Sequence, residues 1–160
     1  IGGGDWSADR LIPDAVRAWQ GCMPLEIRRP ASVRPWQHVL DPLAGYLHLA
    51  RSLWDRPSLA GAYNFGPHTS EAASVREVIE LARATYGSCE VRYGDSSEGL
   101  HEAGLLALET AKASSHLGFT PRWPLAEAVS RTMNWYKAQH AGTDARTLCL
   151  DEISAYGALP

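Results

Sequence analysis

The sequence predicts an α/β fold, and three observations carry that prediction. Short apolar or β-branched runs at Leu25-Glu26-Ile27, Ala62-Tyr63-Asn64-Phe65 and Cys89 to Tyr93 have the length of strands. Between and after them lie segments whose apolar residues recur every three or four positions, the spacing of an amphipathic helix. The two kinds of segment alternate along the chain, and no unit repeats. The strands are few and short for an independent parallel sheet, so the expectation is part of a larger α/β unit.

Taken in order, the first helix is expected over Leu11 to Trp19, with Pro13 in its first turn and Gly21 ending it. Leu25 to Ile27 then form a strand, and Arg28 to Pro35 a positively charged connector. Asp41 is placed as the N-cap of the second helix and Pro42 at its first position. Leu43, Leu47, Ala50 and Trp54 form its apolar stripe, and it ends near Asp55-Arg56-Pro57. Ala62 to Phe65 is a strand stopped by Gly66-Pro67. Ser74, with Glu77 three residues on, is a capping box that opens a helix carrying Val75, Val78, Ile79 and Ala82, stopped by Gly87. A strand over Cys89 to Tyr93, a polar loop, a strand over Leu105 to Leu108 and a short helix from Thr110 to Leu117 follow. The last helix runs from Pro124 to Gln139, its core face marked by Leu125, Val129, Met133 and Tyr136.

Composition narrows the class of function. With 45% hydrophobic and 21% charged residues the chain is not a disordered type, and 18 acidic against 15 basic residues give a formal charge of -3. That balance argues against a broad nucleic-acid surface. No run approaches the roughly 18–20 apolar residues of a membrane span, and no signal-peptide pattern is present. Cys22, Cys89 and Cys149 are far apart, and the six histidines have no metal-ligand spacing. A reduced, cytoplasmic setting is expected.

Two polar segments stand out. In Arg28-Arg29-Pro30-Ala31-Ser32-Val33-Arg34-Pro35-Trp36-Gln37-His38, Arg34 offers a guanidinium fork for a phosphate or carboxylate. Trp36 or His38 offers an aromatic wall; the alternative is a solvated arginine pair with a tryptophan anchoring a loop. The opening Ile1-Gly2-Gly3-Gly4-Asp5-Trp6 either brings backbone close to a ligand or is a structural turn. It lacks the spacing of GxGxxG and of GxxxxGK. There is no GxSxG elbow, and neither lysine, Lys112 nor Lys137, follows a tyrosine by four positions. The residues support a binding surface more readily than a reaction.

The stretches Ile1 to Trp6, Asp9-Arg10-Leu11-Ile12-Pro13-Asp14 and Arg34-Pro35-Trp36-Gln37-His38-Val39-Leu40-Asp41-Pro42-Leu43 resemble the CDP-glucose 4,6-dehydratase family of extended short-chain dehydrogenases/reductases. Asn64-Phe65-Gly66-Pro67, His101-Glu102-Ala103, Leu108 to Ala113, Leu117 to Trp123 and Trp135-Tyr136 extend the resemblance to about residues 1–137. Two positions depart from it: Gly104 replaces a larger or polar residue, and Glu109 an aspartate.

The resemblance implies the C-terminal, substrate-binding part of the extended fold, with the NAD-binding Rossmann half absent, and therefore a chain cut from a larger enzyme. Residues 1–139 would be the nucleotide-sugar-binding portion and 140–160 a tail without an interpretable motif. The complete enzyme would use NAD to convert CDP-glucose, or a related nucleotide sugar, into its 4-keto-6-deoxy product and water. The physical logic is that a C4 ketone acidifies the neighbouring C5–H. The 160-residue chain is expected to bind no NAD and to be inactive alone, partnering the missing Rossmann half and dimerising when complete. Deoxysugar and lipopolysaccharide O-antigen biosynthesis are implied as its setting. The substrate contacts implied are Arg34 at the diphosphate, then Asp9 and Arg10, then Leu25 and Ile27 lining the base, and His101 and Glu102 closing over the ribose and diphosphate. Asn64 is expected to hold its own turn. A non-catalytic nucleotide-sugar-binding or oligomerisation module is the alternative.

Overall fold

The computed structural model describes residues 1–87, 89–94 and 104–158. Helices α1 (Leu11–Gln20), α2 (Leu40–Asp55), α3 (Val75–Tyr86), α4 (Ala111–Leu117), α5 (Leu125–His140) and α6 (Ala145–Gly157) dominate it. Strands β1 (Leu25–Ile27) and β4 (Val91–Tyr93) pair in parallel, Leu25 opposite Val91; β2 (Val33–Arg34) and β3 (Ala73–Ser74) pair antiparallel. The fold is thus mostly helical α/β with two small open sheets.

The core is built where the helical periods require it. Val78, Ile79 and Ala82 of α3 meet Val129, Met133 and Tyr136 of α5, and α1 adds Ile12, Val16 and Trp19. Leu25 and Ile27 of β1 close this core from the sheet side. A smaller cluster of Phe65, Ala113 and Leu117 lies beneath α2. The capping box forms: Ser74 Oγ accepts from the Glu77 amide at 3.2 Å, and Glu77 Oε2 accepts from the Ser74 amide at 2.7 Å. Gly87, at φ 135°, ends α3 in a conformation that favours glycine.

Several expectations are corrected. Among the described residues, Ala62 to Phe65 form no strand, and Leu105 contributes only a single bridge to Val33. Asp41 is not an N-cap. It lies inside the first turn of α2, fully buried, and its carboxylate serves other elements. The α2 stripe of Leu43, Leu47 and Trp54 forms on one helix as expected, yet it faces outward. The tail contains α6, which packs against α5 and reaches Asp41 through Tyr156.

The opening glycines have a packing reason. A Cβ on Gly3 would fall 2.0 Å from Trp135 Cδ2, so the backbone there runs flush against the indole. Tyr136 donates to the Asp5 carbonyl at 2.6 Å, and Arg17 donates to the carbonyls of Trp6 (2.9 Å) and Ser7 (3.0 Å). The turn is therefore fastened to α1 and α5 by its own carbonyls.

Candidate functional site

Between that turn and the Pro35-Trp36-Gln37 segment lies a groove of about 350 Å³ lined by Asp5, Arg10, Pro13, Pro35, Trp36 and Val39, among others. Each wall is positioned by a distinct local cause. Asp9 adopts φ 60°, a left-handed turn that aspartate tolerates better than most residues, and this turn delivers Arg10 to the start of α1. Trp36 Nε1 donates to the Ala73 carbonyl at 2.9 Å, and Gln37 Nε2 donates to the Phe65 carbonyl at 2.8 Å. These bonds hold the second wall against β3 and the Phe65 cluster.

Electrostatically the groove carries a cation and an anion. The backbone amide and hydroxyl of Ser7 hold the Asp5 carboxyl below its ordinary value, and burial opposes them weakly. Arg10 supplies a guanidinium for an anionic group, Trp36 a flat apolar surface, and Asp5 an acceptor for hydroxyl donors. This chemistry suits a polar ligand that is anionic at one end and apolar or hydroxylated at the other.

Behind the second wall is a buried polar knot. Asp41 Oδ1 accepts from Tyr156 Oη at 2.7 Å and from the Arg122 amide at 2.8 Å. Arg122 Nη1 donates in turn to the Tyr156 carbonyl at 3.0 Å. His38 stacks edge-on to Trp123, centroids 4.6 Å apart, and Trp123 to Tyr156 at 5.0 Å. Burial, helped by the positive charges of the Ile1 amino group and Arg131, pushes His38 down to about 4. It is a neutral packing residue near pH 7. Glu71, far away in sequence, accepts from the Leu125 amide at 2.7 Å and caps α5.

The expected site residues scatter around this geometry. Arg10 lines the groove, and Asp9 occupies the exposed turn beside it. Arg34 lies on β2, where its Nη1 donates to the Val33 carbonyl at 2.9 Å, and it is not among the residues lining the groove. Leu25 and Ile27 point their side chains into the core and only Glu26 between them is exposed, so β1 can meet a ligand through backbone or Glu26 rather than through those two side chains. His101 and Glu102 lie outside the described residues. Asn64 Nδ2 donates to the Glu109 carbonyl at 3.1 Å, tying its turn to the segment before α4. The groove-lining role of Asp5 was not expected; its place three residues from the first glycine was the available signal.

The described residues make no dinucleotide cradle. Their parallel pairing is one short pair of strands and a single Val33–Leu105 bridge, and the triglycine turn is filled by Trp135. Among the described residues no three His, Cys, Asp or Glu side chains converge as metal ligands, and no helix is long and apolar enough to cross a membrane.

This fold recurs as part of solved structures of nucleotide-sugar enzymes. Two solved structures illustrate it. UDP-glucose 4-epimerase from Stenotrophomonas maltophila, with bound NAD and formylated UDP-arabinopyranose, matches 88% of this chain and 43% of its own at 19% identity and TM-score 0.72. dTDP-glucose 4,6-dehydratase from Bacillus anthracis, in complex with NAD, matches 87% of this chain and 42% of its own at 18% identity and TM-score 0.69. In sequence, the chain is 40% identical over 157 residues to CDP-glucose 4,6-dehydratase of Salmonella typhimurium, covering 98% of this chain and 44% of that enzyme. The chain spans less than half the length of its curated relative. No family model matches it.

Proposed function

We propose that the chain is the nucleotide-sugar-binding half of a CDP-glucose 4,6-dehydratase. The observation that carries this reading is the 40% identity to that enzyme sustained over 98% of the chain. The groove supports it with a guanidinium at Arg10, a fixed indole at Trp36 and a carboxylate at Asp5. In this reading Arg10 and Arg34 bind the diphosphate and Asp9 shapes the approach to it. The β1 strand at Leu25 and Ile27 runs beside the base, and His101 with Glu102 close over the ribose. Residues 1–139 form the binding portion, and 140–160 the tail that buttresses it.

NAD, carried by a separate Rossmann half, would supply the hydride chemistry, while this chain's residues bind and orient the CDP-sugar. The complete enzyme would be a cytoplasmic homodimer making a 4-keto-6-deoxy sugar for lipopolysaccharide O-antigen. Titration calorimetry of the 160-residue chain with CDP-glucose, UDP-glucose and CDP tests the reading. Binding of CDP-glucose in preference to UDP-glucose, with no keto-sugar formed when NAD is added, is the expected result. Absence of any CDP-glucose binding, or turnover by the chain alone, overturns it.

A further inference from the structure

The cysteines are free thiols, and the groove described above uses none of them. Cys22 and Cys89 are remote in sequence, yet the fold carries both to one end of the β1–β4 pair. Each sits in a short segment whose two ends are fixed against the other segment. On one side, the rings of Trp19 and Tyr86, each three residues earlier, lie 5.2 Å apart. On the other, Leu25 stands opposite Val91 in the parallel register, and its amide donates to the Glu90 carbonyl at 3.0 Å. Paired strands run about 4.8 Å apart, and a disulfide spans roughly 5–6 Å between Cα atoms. The entries to the two strands therefore run side by side within the span of that bond.

The two thiols differ in a way that suits successive steps. Cys22 is exposed and held by a tight turn, with φ at 53°, an uncommon region for a residue other than glycine. Its amide donates to the Trp19 carbonyl at 3.2 Å, and the Met23 amide donates to the Ala18 carbonyl at 2.8 Å. Cys89 is half-buried and packs against the main core. Burial, joined by the negative charge of a Cys22 thiolate, pushes the Cys89 thiol up, and Arg83 opposes them. The exposed sulfur is thus the one an incoming reagent meets first. Cys149, on α6, belongs to neither segment.

We infer that Cys22 and Cys89 form a reversible dithiol–disulfide site, oxidised by a low-molecular-weight disulfide and clamping β1 to β4 when closed. The Cys22 thiolate attacks one sulfur of the incoming disulfide and expels one thiolate. The Cys89 thiolate then attacks the Cys22 sulfur, forming the Cys22–Cys89 bond and expelling the second. Two protein thiols are oxidised, one external disulfide is reduced, and the two cysteine protons finish on the two released thiols. In a reducing setting such a pair responds to redox poise instead of stapling the fold permanently. The inference does not depend on which nucleotide sugar the chain binds.

The test equilibrates the 160-residue chain in glutathione buffers of rising disulfide-to-thiol ratio, then blocks the remaining thiols with iodoacetamide. Non-reduced peptides are read by mass spectrometry. The Cys22–Cys89 linked peptide should become the dominant species, while Cys149 is alkylated or carries glutathione. In urea, where Cys89 is separated from Cys22 and Cys149 by comparable lengths of chain, that preference should fall at least about tenfold. Cys89→Ser should stop the reaction at a glutathione adduct on Cys22. The oxidised natural chain should melt about 5–10 °C above the reduced one, a difference absent from Cys89→Ser. A natural chain that keeps glutathione on Cys22, with Cys89 alkylated at every ratio, overturns the inference. So does a folded chain that links Cys89 to Cys149 as readily as to Cys22, links only between molecules, or gains no melting temperature on closing.

Discussion

Tyr156 Oη donates a 2.7 Å hydrogen bond to Asp41 Oδ1, joining the last helix to the first turn of α2 across 115 residues. Both side chains are buried, and Asp41 is fully so. Burial, the hydrogen bond to Asp41 and its negative charge all push the Tyr156 hydroxyl up, so it remains a donor throughout the neutral range. Replacing Tyr156 with Phe removes that donor and leaves the carboxylate only the Arg122 amide on this oxygen. A loss of about 1.5–3 kcal/mol is expected, the usual cost for a hydrogen bond to a charged group. Urea denaturation of the variant checks it, and a loss below about 0.5 kcal/mol would count against a stabilising role.

His38 makes stability depend on pH with a definite sign. Its folded value is about 4 against an ordinary 6.5, so between these values the unfolded chain binds more protons than the folded one. The stabilising effect of keeping His38 neutral is complete above pH 6.5 and is lost as pH falls towards 4. Its full extent is on the order of 3 kcal/mol. Denaturation midpoints measured from pH 7.5 to 4 should fall more steeply for the natural chain than for His38→Gln. Parallel curves would remove His38 from the account.

The opening glycines yield a contrasted pair. Gly3→Ala must push a methyl group into Trp135, whose ring atoms would be 2.0 to 2.6 Å away. Overpacking of this kind costs about 1–3 kcal/mol. Gly104→Ala meets nothing within 4 Å and should change stability by less than about 0.5 kcal/mol. Thermal melts of the two variants separate a packing role for the turn from a purely conformational one.

Arg10 and Arg34 divide the proposed binding site. Arg10 lines the groove, whereas Arg34 lies on β2 and donates to the Val33 carbonyl. Arg10→Ala should weaken CDP-glucose binding about tenfold, roughly 1.4 kcal/mol. Its effect should shrink as salt rises, because the proposed diphosphate contact is ionic. If Arg34→Ala weakens binding as much while leaving the melting temperature unchanged, both guanidiniums reach the ligand. If only the melting temperature falls, Arg34 is a strand-holding residue.

The positions of α1 to α5 were legible in the sequence because they depend on local chemistry, whereas α6 lies in the tail where no motif was read. The Ser74–Glu77 box lies within four residues, and the Val129-Met133-Tyr136 spacing alone designates a buried face. β1 was legible for the same reason, although its side chains turn to the core rather than to a ligand. The Ala62–Phe65 strand failed because a strand needs a partner and no described neighbour supplies one. Arg10 was legible as a candidate, while Asp5 became one only when the turn and the Trp36 segment were brought face to face.

By itself, the sequence determined the alternation of helices and short strands, the separate apolar faces of α3 and α5 and a resemblance to nucleotide-sugar dehydratases. Each follows from periodicity, capping or motif, which act over a few residues. Tertiary structure alone decided which side of α2 is used. Periodicity locates the apolar stripe of Leu43, Leu47 and Trp54 but cannot say what it faces. In the folded chain the inner side is claimed by hydrogen bonds to Asp41 from Tyr156 and Arg122 and by the close approach of Phe65 to Gly45. Those partners lie 20 to 115 residues from α2's inner face, and only folding brings them there.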